Sequence, residues 1–324
     1  MCTAVTYKTK EHYFGRNLDL EYSYSETVTV TPRNYAFSFR KAGRIANHYA
    51  MIGMAYISGG YPLYYDATNE KGLSIAGLNF PGNADYKPYT EGKDNIAPFE
   101  LIPWILGQCA SVAEAERLLL RINILDESFS AELPTTPLHW IIADRERSIT
   151  LEAVKDGIKV YCNSVGVLTN NPTFDYHTSN LNNYMHLTSG EPKNTFSESL
   201  DLTRYSRGMG GIGLPGDASS ASRFVRAAFV KMNSVSGETE TESVSQFFHI
   251  LRSVEMQRGC VIVGEGEYEI TVYSSCCNTD RGIYYYLTYD NCRIAAVDMH
   301  REDLDGSTLF SYPLVKEQRI EYQN

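Results

Sequence analysis

Cys2, directly after Met1, is the first residue of the chain that could act as a nucleophile. Loss of Met1 would give Cys2 a free α-amine beside its own thiol, and the ordinary pKa of an α-amine, about 7.7 to 8.0, suits proton transfer near neutral pH. One residue would then supply both nucleophile and base without a histidine. The alternative interpretation is that Cys2 is an ordinary small residue at the start of an edge strand.

An arginine and an aspartate are expected beside Cys2 because of a predicted hairpin. Residues 2–7 and 13–19 are rich in Val, Thr and Tyr and flank a polar turn, which is typical of two antiparallel strands. Their pairing places Arg16 opposite or nearly opposite Cys2, with Asp19 just past it. A cation lowers the pKa of a thiol from about 8.5, and a carboxylate can hold an amine in place. The same two residues would otherwise form a surface ion pair.

The composition is that of a globular protein and argues against several classes of partner. The chain has 324 residues, 43% of them apolar and 21% charged, and a net charge of −10 without a run of Lys or Arg. This charge disfavours binding to nucleic acid or to an anionic membrane surface. No apolar stretch reaches the length of about 18 residues typical of a transmembrane helix, and the N-terminus does not resemble a signal peptide. We therefore expect a cytoplasmic protein.

The sequence contains no pattern that predicts a metal or a cofactor. The seven cysteines lack a C-x-x-C pair, the seven histidines lack an H-E-x-x-H motif, and reduced thiols are expected. The GMGGIG stretch at residues 208–213 has the letters of a dinucleotide fingerprint, but Leu214 and Pro215 follow it where a helix should begin. It predicts a loop. No G-x-S-x-G motif of a serine hydrolase is present.

The order of predicted elements indicates an α+β fold. Strands are expected at 27–31, 49–57 and 73–79 after the hairpin, as three strands within 138–161, and in a final meander, with residues 58–65 and 128–137 as loops. Helices are expected at 98–108, 111–121, 220–232 and 242–256. Hairpins rather than β-α-β crossovers predict antiparallel sheets covered by helices. Without a linker or a repeat, residues 1–324 are expected to form a single domain.

Four stretches, together with the N-terminal C-T-A, resemble the choloylglycine hydrolase family, which comprises bile salt hydrolases and penicillin V acylases within the N-terminal nucleophile hydrolases. The stretches are FGRNLD at 14–19, NEKGLSIAGLNF at 69–80, GVLTNNPTFDYH at 166–177 and SRFVRAAF at 222–229. The resemblance runs through nearly the whole chain. It implies a four-layer αββα sandwich, two antiparallel sheets between helical layers, and a homotetramer.

The resemblance also implies a role for each candidate catalytic residue. Cys2 would attack the amide carbonyl after loss of Met1, Asp19 would orient its amine, and Arg16 would lie beside its thiol. Asn79 and Asn170 would donate hydrogen bonds to the oxyanion, and Arg223 would add positive charge near the nucleophile. On local grounds alone, Asn79 and Asn170 would be turn residues.

The implied substrate is a conjugated bile salt, from which glycine or taurine is released. The family tends to have Asn at position 79 in bile salt hydrolases and Tyr in many penicillin V acylases. The implied apolar pocket consists of Leu18, Tyr65, Phe129, Leu133 and Leu138, any of which could instead be a core residue. Penicillin V acylase activity is the alternative, and a non-catalytic binder of amphipathic ligands is a second. Tyr176 and Asn171 stand where Trp and Ser are common in the family.

Overall fold

The computed structural model describes residues 1–324, and strands make up most of its regular structure. The strands are β1 Cys2–Lys8, β2 His12–Leu20, β3 Thr27–Thr31, β4 Phe37–Phe39, β5 Gly43–Ile45, β6 Met51–Ser58, β7 Tyr61–Asn69, β8 Ser74–Asn79, β9 Asp94–Ile96, β10 Ile122–Ile124, β11 Leu138–Ala143, β12 Ser148–Val154, β13 Gly157–Cys162, β14 Val167–Leu168, β15 Ile262–Gly264, β16 Glu267–Tyr268, β17 Ile270–Asn278, β18 Ile283–Thr288, β19 Asn291–Asp298 and β20 Phe310–Pro313. The α-helices are α1 Leu101–Leu106, α2 Val112–Leu119, α3 Phe174–Asn180, α4 Ser220–Asn233 and α5 Glu240–Arg252.

Two large antiparallel sheets form the centre of the fold. One has the strand order β14-β1-β2-β17-β18-β19, and the other has the order β13-β12-β11-β8-β7-β6-β3-β20. Helices α4 and α5 pack on the first sheet, and α1 packs on the second. One apolar core includes side chains from both sheets and from α4 and α5, and a second lies between the eight-stranded sheet and helices α1 and α2. This arrangement confirms the predicted α+β sandwich.

The predicted N-terminal hairpin is present with the predicted register. Cys2 pairs with Leu18 and Ala4 pairs with Arg16, so Arg16 lies two residue pairs along the hairpin from Cys2. Strand β2 also pairs with β17, and a Cβ atom at Gly15 would overlap the backbone carbonyl of Ser275. Glycine at position 15 therefore permits the close approach of β2 and β17.

Several predicted boundaries were wrong by a few residues, and capping contacts explain one of them. Helix α5 begins at Glu240 rather than at 242, because Thr239 and Glu242 form a complete capping box before it. At α2, Ser111 accepts from the Glu114 amide, while the Glu114 carboxylate accepts from the Ala110 amide instead of completing a capping box. The segment predicted as one helix at 98–108 contains a 3-10 turn, Pro98–Glu100, and the short helix α1.

Several short strands were not predicted, and neither were one long strand, β7, and one helix, α3. Strand β7 begins at Tyr61, within the stretch expected to be a loop, and helix α3 follows directly after the TNNPT stretch. The GMGGIG stretch forms a short 3-10 turn, Met209–Gly211, which confirms the expected loop. None of the helices is both long enough and apolar enough to cross a bilayer.

Candidate active site

Cys2 lies at the start of β1, where segments distant in sequence converge on it. Its side chain is buried, its backbone amide donates to Asn170 Oδ1 (2.8 Å), and its backbone carbonyl accepts from Arg223 Nη1 (2.5 Å). Asn170 follows β14, and Arg223 lies in the first turn of α4. The structure therefore brings together three of the residues expected at one site.

Arg223 is fully buried and donates only to neutral oxygen atoms. Its Nε donates to the carbonyl of Ala218 (3.0 Å), Nη1 to Thr3 Oγ1 (2.7 Å), and Nη2 to Asn170 Oδ1 (2.7 Å). Burial lowers the pKa of Arg223, while the acidic groups of Asp19 and Cys2 oppose this shift. Because an arginine stays protonated in proteins, Arg223 places a fixed positive charge next to Cys2.

Asn170 is held by hydrogen bonds at both its backbone and its side chain. Its backbone amide donates to Ser220 Oγ (2.8 Å), and its Nδ2 donates to the backbone carbonyl of Asn79 (2.7 Å). Two donors, from Cys2 and Arg223, point at Oδ1, and this network fixes which side-chain atom is the oxygen. The side-chain amide of Asn79, half-buried at the end of β8, makes no hydrogen bond within the chain. Both candidate oxyanion donors therefore lie at the same site.

Arg16 is buried between the two sheets. Its Nη1 donates to the backbone carbonyls of Tyr65 (3.0 Å) and Gly77 (2.5 Å), both in the eight-stranded sheet. Burial lowers the pKa of Arg16, but the neighbouring acidic groups, first Cys2 and then Tyr273 and Asp66, outweigh this effect and raise it. Arg16 thus brings a second buried positive charge close to the Cys2 thiol.

Asp19 is fully buried and one of its carboxylate oxygens has no partner. Thr271 Oγ1 donates to Oδ1 (2.6 Å), while Oδ2 makes no hydrogen bond. Burial raises the pKa of Asp19, and the charges of Arg223 and of the N-terminal amine oppose this. That amine, on Met1, donates to the backbone carbonyl of Asp19 (2.8 Å) and forms an ion pair with Glu269.

Asp66, a buried carboxylate near Arg16, was missed from the sequence. It accepts hydrogen bonds from the hydroxyl groups of Tyr273 (2.8 Å), Tyr284 (2.7 Å) and Ser275 (3.3 Å), all in the six-stranded sheet. Burial raises the pKa of Asp66, and the charge of Arg16 is the largest opposing effect. The only signal in the sequence was an aspartate among the aromatic residues of LYYDAT.

Two buried histidines next to Asn170 were also missed. His177 Nε2 lies 2.9 Å from the backbone carbonyl oxygen of Asn170, and His139 Nε2 lies 2.9 Å from that of Thr169. His139 Nδ1 faces Glu152 Oε1 at 3.2 Å. His177 ends one of the stretches quoted for the family resemblance, but nothing in its local spacing indicated this contact.

The five expected pocket residues divide into three close to the site and two in a neighbouring loop. Leu18 pairs with Cys2, Leu138 pairs with Asn79, and the backbone of Tyr65 binds Arg16. Leu18 is buried in the core, whereas Tyr65 and Leu138 are half-buried. Phe129 and Leu133 share a loop closed by the Phe129 amide donating to the Leu133 carbonyl (3.1 Å), and Phe129 packs on Tyr61 and Phe99.

Comparison with known proteins gives matches along nearly the whole chain. Residues 2–312 match the family described as linear amide C–N hydrolases, choloylglycine hydrolase family. The chain is 59% identical over 317 residues to a bile salt hydrolase/transferase from Lactiplantibacillus plantarum, with 98% of each chain covered. It is 40% identical over 329 residues to a bile salt hydrolase/transferase from Clostridium perfringens, with 100% of each covered.

Solved structures of related proteins have the same fold as this chain. A mutant conjugated bile acid hydrolase from Clostridium perfringens superposes with a TM-score of 0.92 at 39% identity, and the match covers 100% of both chains. A penicillin V acylase from Agrobacterium tumefaciens superposes with a TM-score of 0.74 at 20% identity, over 96% of this chain and 90% of that one. The second match is a likeness of fold alone.

Proposed function

The chain belongs to the choloylglycine hydrolase family of linear amide C–N hydrolases, and we propose that it hydrolyses the amide bond of conjugated bile salts to release glycine or taurine. The observation that carries this proposal is the 59% identity to a bile salt hydrolase/transferase over 98% of both chains. The convergence of Asn170 and Arg223 on the backbone of Cys2 supports it.

Removal of Met1 is the first requirement of the proposed mechanism. Hydrolysis of the Met1–Cys2 bond converts the Cys2 amide nitrogen, which lies 2.8 Å from Asn170 Oδ1, into an α-amine. The buried carboxylate of Asp19 stabilises the protonated form of that amine. Arg16 and Arg223 place two positive charges beside the sulfur that attacks.

The proposed reaction then proceeds through an acyl thioester. The Cys2 sulfur attacks the amide carbonyl, and its proton passes by way of the α-amine to the nitrogen of the leaving glycine or taurine. The side-chain amides of Asn79 and Asn170 donate to the oxyanion formed in this step, and one such donor typically contributes about 2.7 to 4 kcal/mol. Water attacks the thioester, giving the free bile acid and restoring the thiol. No cofactor takes part.

The preference for a bile salt over penicillin V rests on Asn79 and on the apolar side chains around it. A sterol requires a roomy apolar cleft with few polar groups. Leu18, Tyr65 and Leu138 lie beside Cys2, Arg16 and Asn79 respectively, and we propose that they line one end of that cleft, with Phe129 and Leu133 at its rim. Penicillin V cleavage is the outcome that would revise this part of the proposal.

The test measures the N-terminus and the activity of the same preparation. Intact-mass analysis should show that Met1 is absent. Release of taurine or glycine from taurocholate and glycocholate, and cleavage of penicillin V, should be followed for wild type, Cys2→Ala and Cys162→Ala. Cys162 is a matched control because it is also a free thiol but lies exposed at the end of β13.

We expect wild type and Cys162→Ala to release the amino acid, with each bile salt cleaved at a similar rate by the two proteins. We expect Cys2→Ala to be inactive. Full activity of Cys2→Ala would refute the mechanism. Faster cleavage of penicillin V than of either bile salt would refute the substrate assignment. Binding of taurocholate without product release in any preparation lacking Met1 would indicate a non-catalytic binder.

The organisation of the protein forms a further part of the proposal. We propose a single domain, a homotetramer and a cytoplasmic location, in keeping with the family resemblance. Analytical ultracentrifugation should then give four times the chain mass of 36.5 kDa. One cooperative unfolding transition should be seen, and cell fractionation should recover the activity with the cytoplasm.

A further inference from the structure

Two buried imidazoles hold two consecutive backbone carbonyls beside the candidate nucleophile. His139 Nε2 lies 2.9 Å from the Thr169 carbonyl oxygen, and His177 Nε2 lies 2.9 Å from the Asn170 carbonyl oxygen. A carbonyl oxygen can only accept, so the Nε2 atom of each ring carries the hydrogen. The backbone of Asn170 is thus held at its carbonyl by His177 and at its amide by Ser220.

In its buried surroundings, His177 can donate one hydrogen bond, to the backbone carbonyl of Asn170. The ring is fully buried and stacks on Phe224, with centroids 4.8 Å apart and an interplanar angle of 21°. Burial lowers the pKa of His177 to about 4, so the ring is neutral near pH 7. Its Nδ1 has no partner. The single N–H of the neutral ring therefore points at Asn170.

His139, on β11, is held in a corresponding way. Its ring stacks on Phe80, with centroids 4.1 Å apart and an interplanar angle of 10°. Its Nδ1 faces Glu152 Oε1, which also accepts the Phe174 amide at the start of α3 (2.9 Å). Each ring thus stacks on the residue that follows a candidate site residue, Phe80 after Asn79 and Phe224 after Arg223.

We propose that His177 is a positioning residue that holds Asn170 in the geometry required for binding the oxyanion, with His139 fixing the preceding carbonyl. This inference rests on the proposed role of Asn170. Asn170 shares its side chain between Cys2, Arg223 and the Asn79 backbone, so a rotation of its peptide unit would move its amide away from the reacting carbonyl. The imidazole does not touch the substrate or the thiol.

The experiment compares His177→Phe, His177→Gln and His12→Phe in protein from which Met1 has been removed. Phenylalanine keeps a flat ring against Phe224 but cannot donate, whereas the glutamine amide can donate to the Asn170 carbonyl. His12 is the matched control: it is also buried, its pKa is also lowered by burial to about 4, and its ring bonds only Thr6 and Thr279. It lies at the other end of the hairpin from Cys2.

Three quantities should be measured for each variant: kcat and KM on whichever of taurocholate, glycocholate or penicillin V the wild type cleaves, and the rate of Cys2 alkylation by iodoacetamide. For His177→Phe we expect kcat to fall about 10- to 100-fold, the scale expected from misplacing one donor. KM and the alkylation rate should change less than about twofold, because the cleft and the thiol are intact. His177→Gln should recover kcat to within about fivefold of wild type, and His12→Phe should leave it unchanged.

The inference is wrong if His177→Phe keeps its kcat, or if His177→Gln and His177→Phe lose kcat equally. A fall in alkylation rate that parallels the fall in kcat would also overturn it, since the nucleophile itself would then be disturbed. Thermal unfolding of each variant confirms that folded protein is being compared. Because any cleaved amide serves as substrate, failure of the bile salt assignment would be seen in the wild type and not in this comparison.

Discussion

Replacement of His12 should reduce the loss of stability that the protein undergoes in mild acid. His12 is buried at the end of β2 nearest the hairpin turn, where its ring nitrogens bond the hydroxyl groups of Thr6 (2.5 Å) and Thr279 (2.8 Å). Burial lowers the pKa of His12 from 6.5 to about 4, and the charge of Asp280 opposes this only in part. The folded state therefore keeps a neutral ring over a pH range in which the unfolded chain takes up a proton.

The sign and size of the effect follow from linkage. The histidine of the unfolded chain binds a proton as pH falls below about 6.5, while the folded state does not until about pH 4, so stability is present above pH 6.5 and lost as pH falls between these values. At pH 5 the cost is about 2 kcal/mol, compared with a few tenths at pH 7. His177, with a pKa also lowered to about 4, should add a similar amount.

The assay is urea unfolding of wild type and His12→Gln at pH 7 and pH 5, at one protomer concentration, since subunit association would alter apparent stability. Urea is preferable to guanidinium because it does not screen charges. Carboxylates titrate in both proteins and cancel in the comparison. The difference between the two pH values should be about 2 kcal/mol smaller in the variant. Equal pH dependence in the two proteins would refute the burial argument.

Three further substitutions test other parts of the structure. Asn79→Ala should lower kcat about 100- to 1000-fold with little change in KM, as measured by amino-acid release, because its side-chain amide is free to donate to the oxyanion. Gly15→Ala should lower the free energy of unfolding in urea by about 3 kcal/mol, because the new methyl group overlaps the Ser275 carbonyl. Thr239→Ala should cost about 1 kcal/mol in the same assay, through loss of the α5 capping box.

The local parts of the site could be predicted from the sequence, and the distant parts could not. The hairpin needs only two β-rich runs and a turn, so the register that brings Arg16 close to Cys2 follows from spacing. Asn170 and Arg223 lie more than 160 residues away along the chain, and only the resemblance to a known family placed them at the same site. Their contacts depend on how the two sheets and α4 pack, which no local pattern encodes.

Helix α3 and strand β7 were missed because tertiary contacts, rather than local sequence preference, stabilise them. Helix α3, FDYHTSN, contains mostly poor helix formers and has no side-chain cap, but Phe174 and His177 are buried in it. Strand β7 contains Pro62 and Asp66, both disfavoured in strands. Asp66 is tolerated there because tyrosine and serine hydroxyl groups from the opposite sheet satisfy its carboxylate. Asp66 in β7 and His177 in α3 are thus each part of a buried set of hydrogen bonds.

The charges around Cys2 give a physical reason for the proposed removal of Met1 before the thiol acts. The buried cations Arg16 and Arg223 lie near it, and the buried carboxyl groups of Asp19 and Asp66 lie beside these two cations, so the four formal charges cancel when both carboxyl groups are ionised. A Cys2 thiolate would add an uncompensated negative charge while Met1 is attached, because the Met1 ammonium is already paired with Glu269. Burying an unpaired charge is costly. Removal of Met1 moves the ammonium group from Glu269 to Cys2, next to the thiolate, and the carboxylate oxygen of Asp19 that lacks a donor lies in the same buried cluster. On the proposed mechanism, cleavage of one peptide bond thus supplies both the base and the counter-charge of the nucleophile.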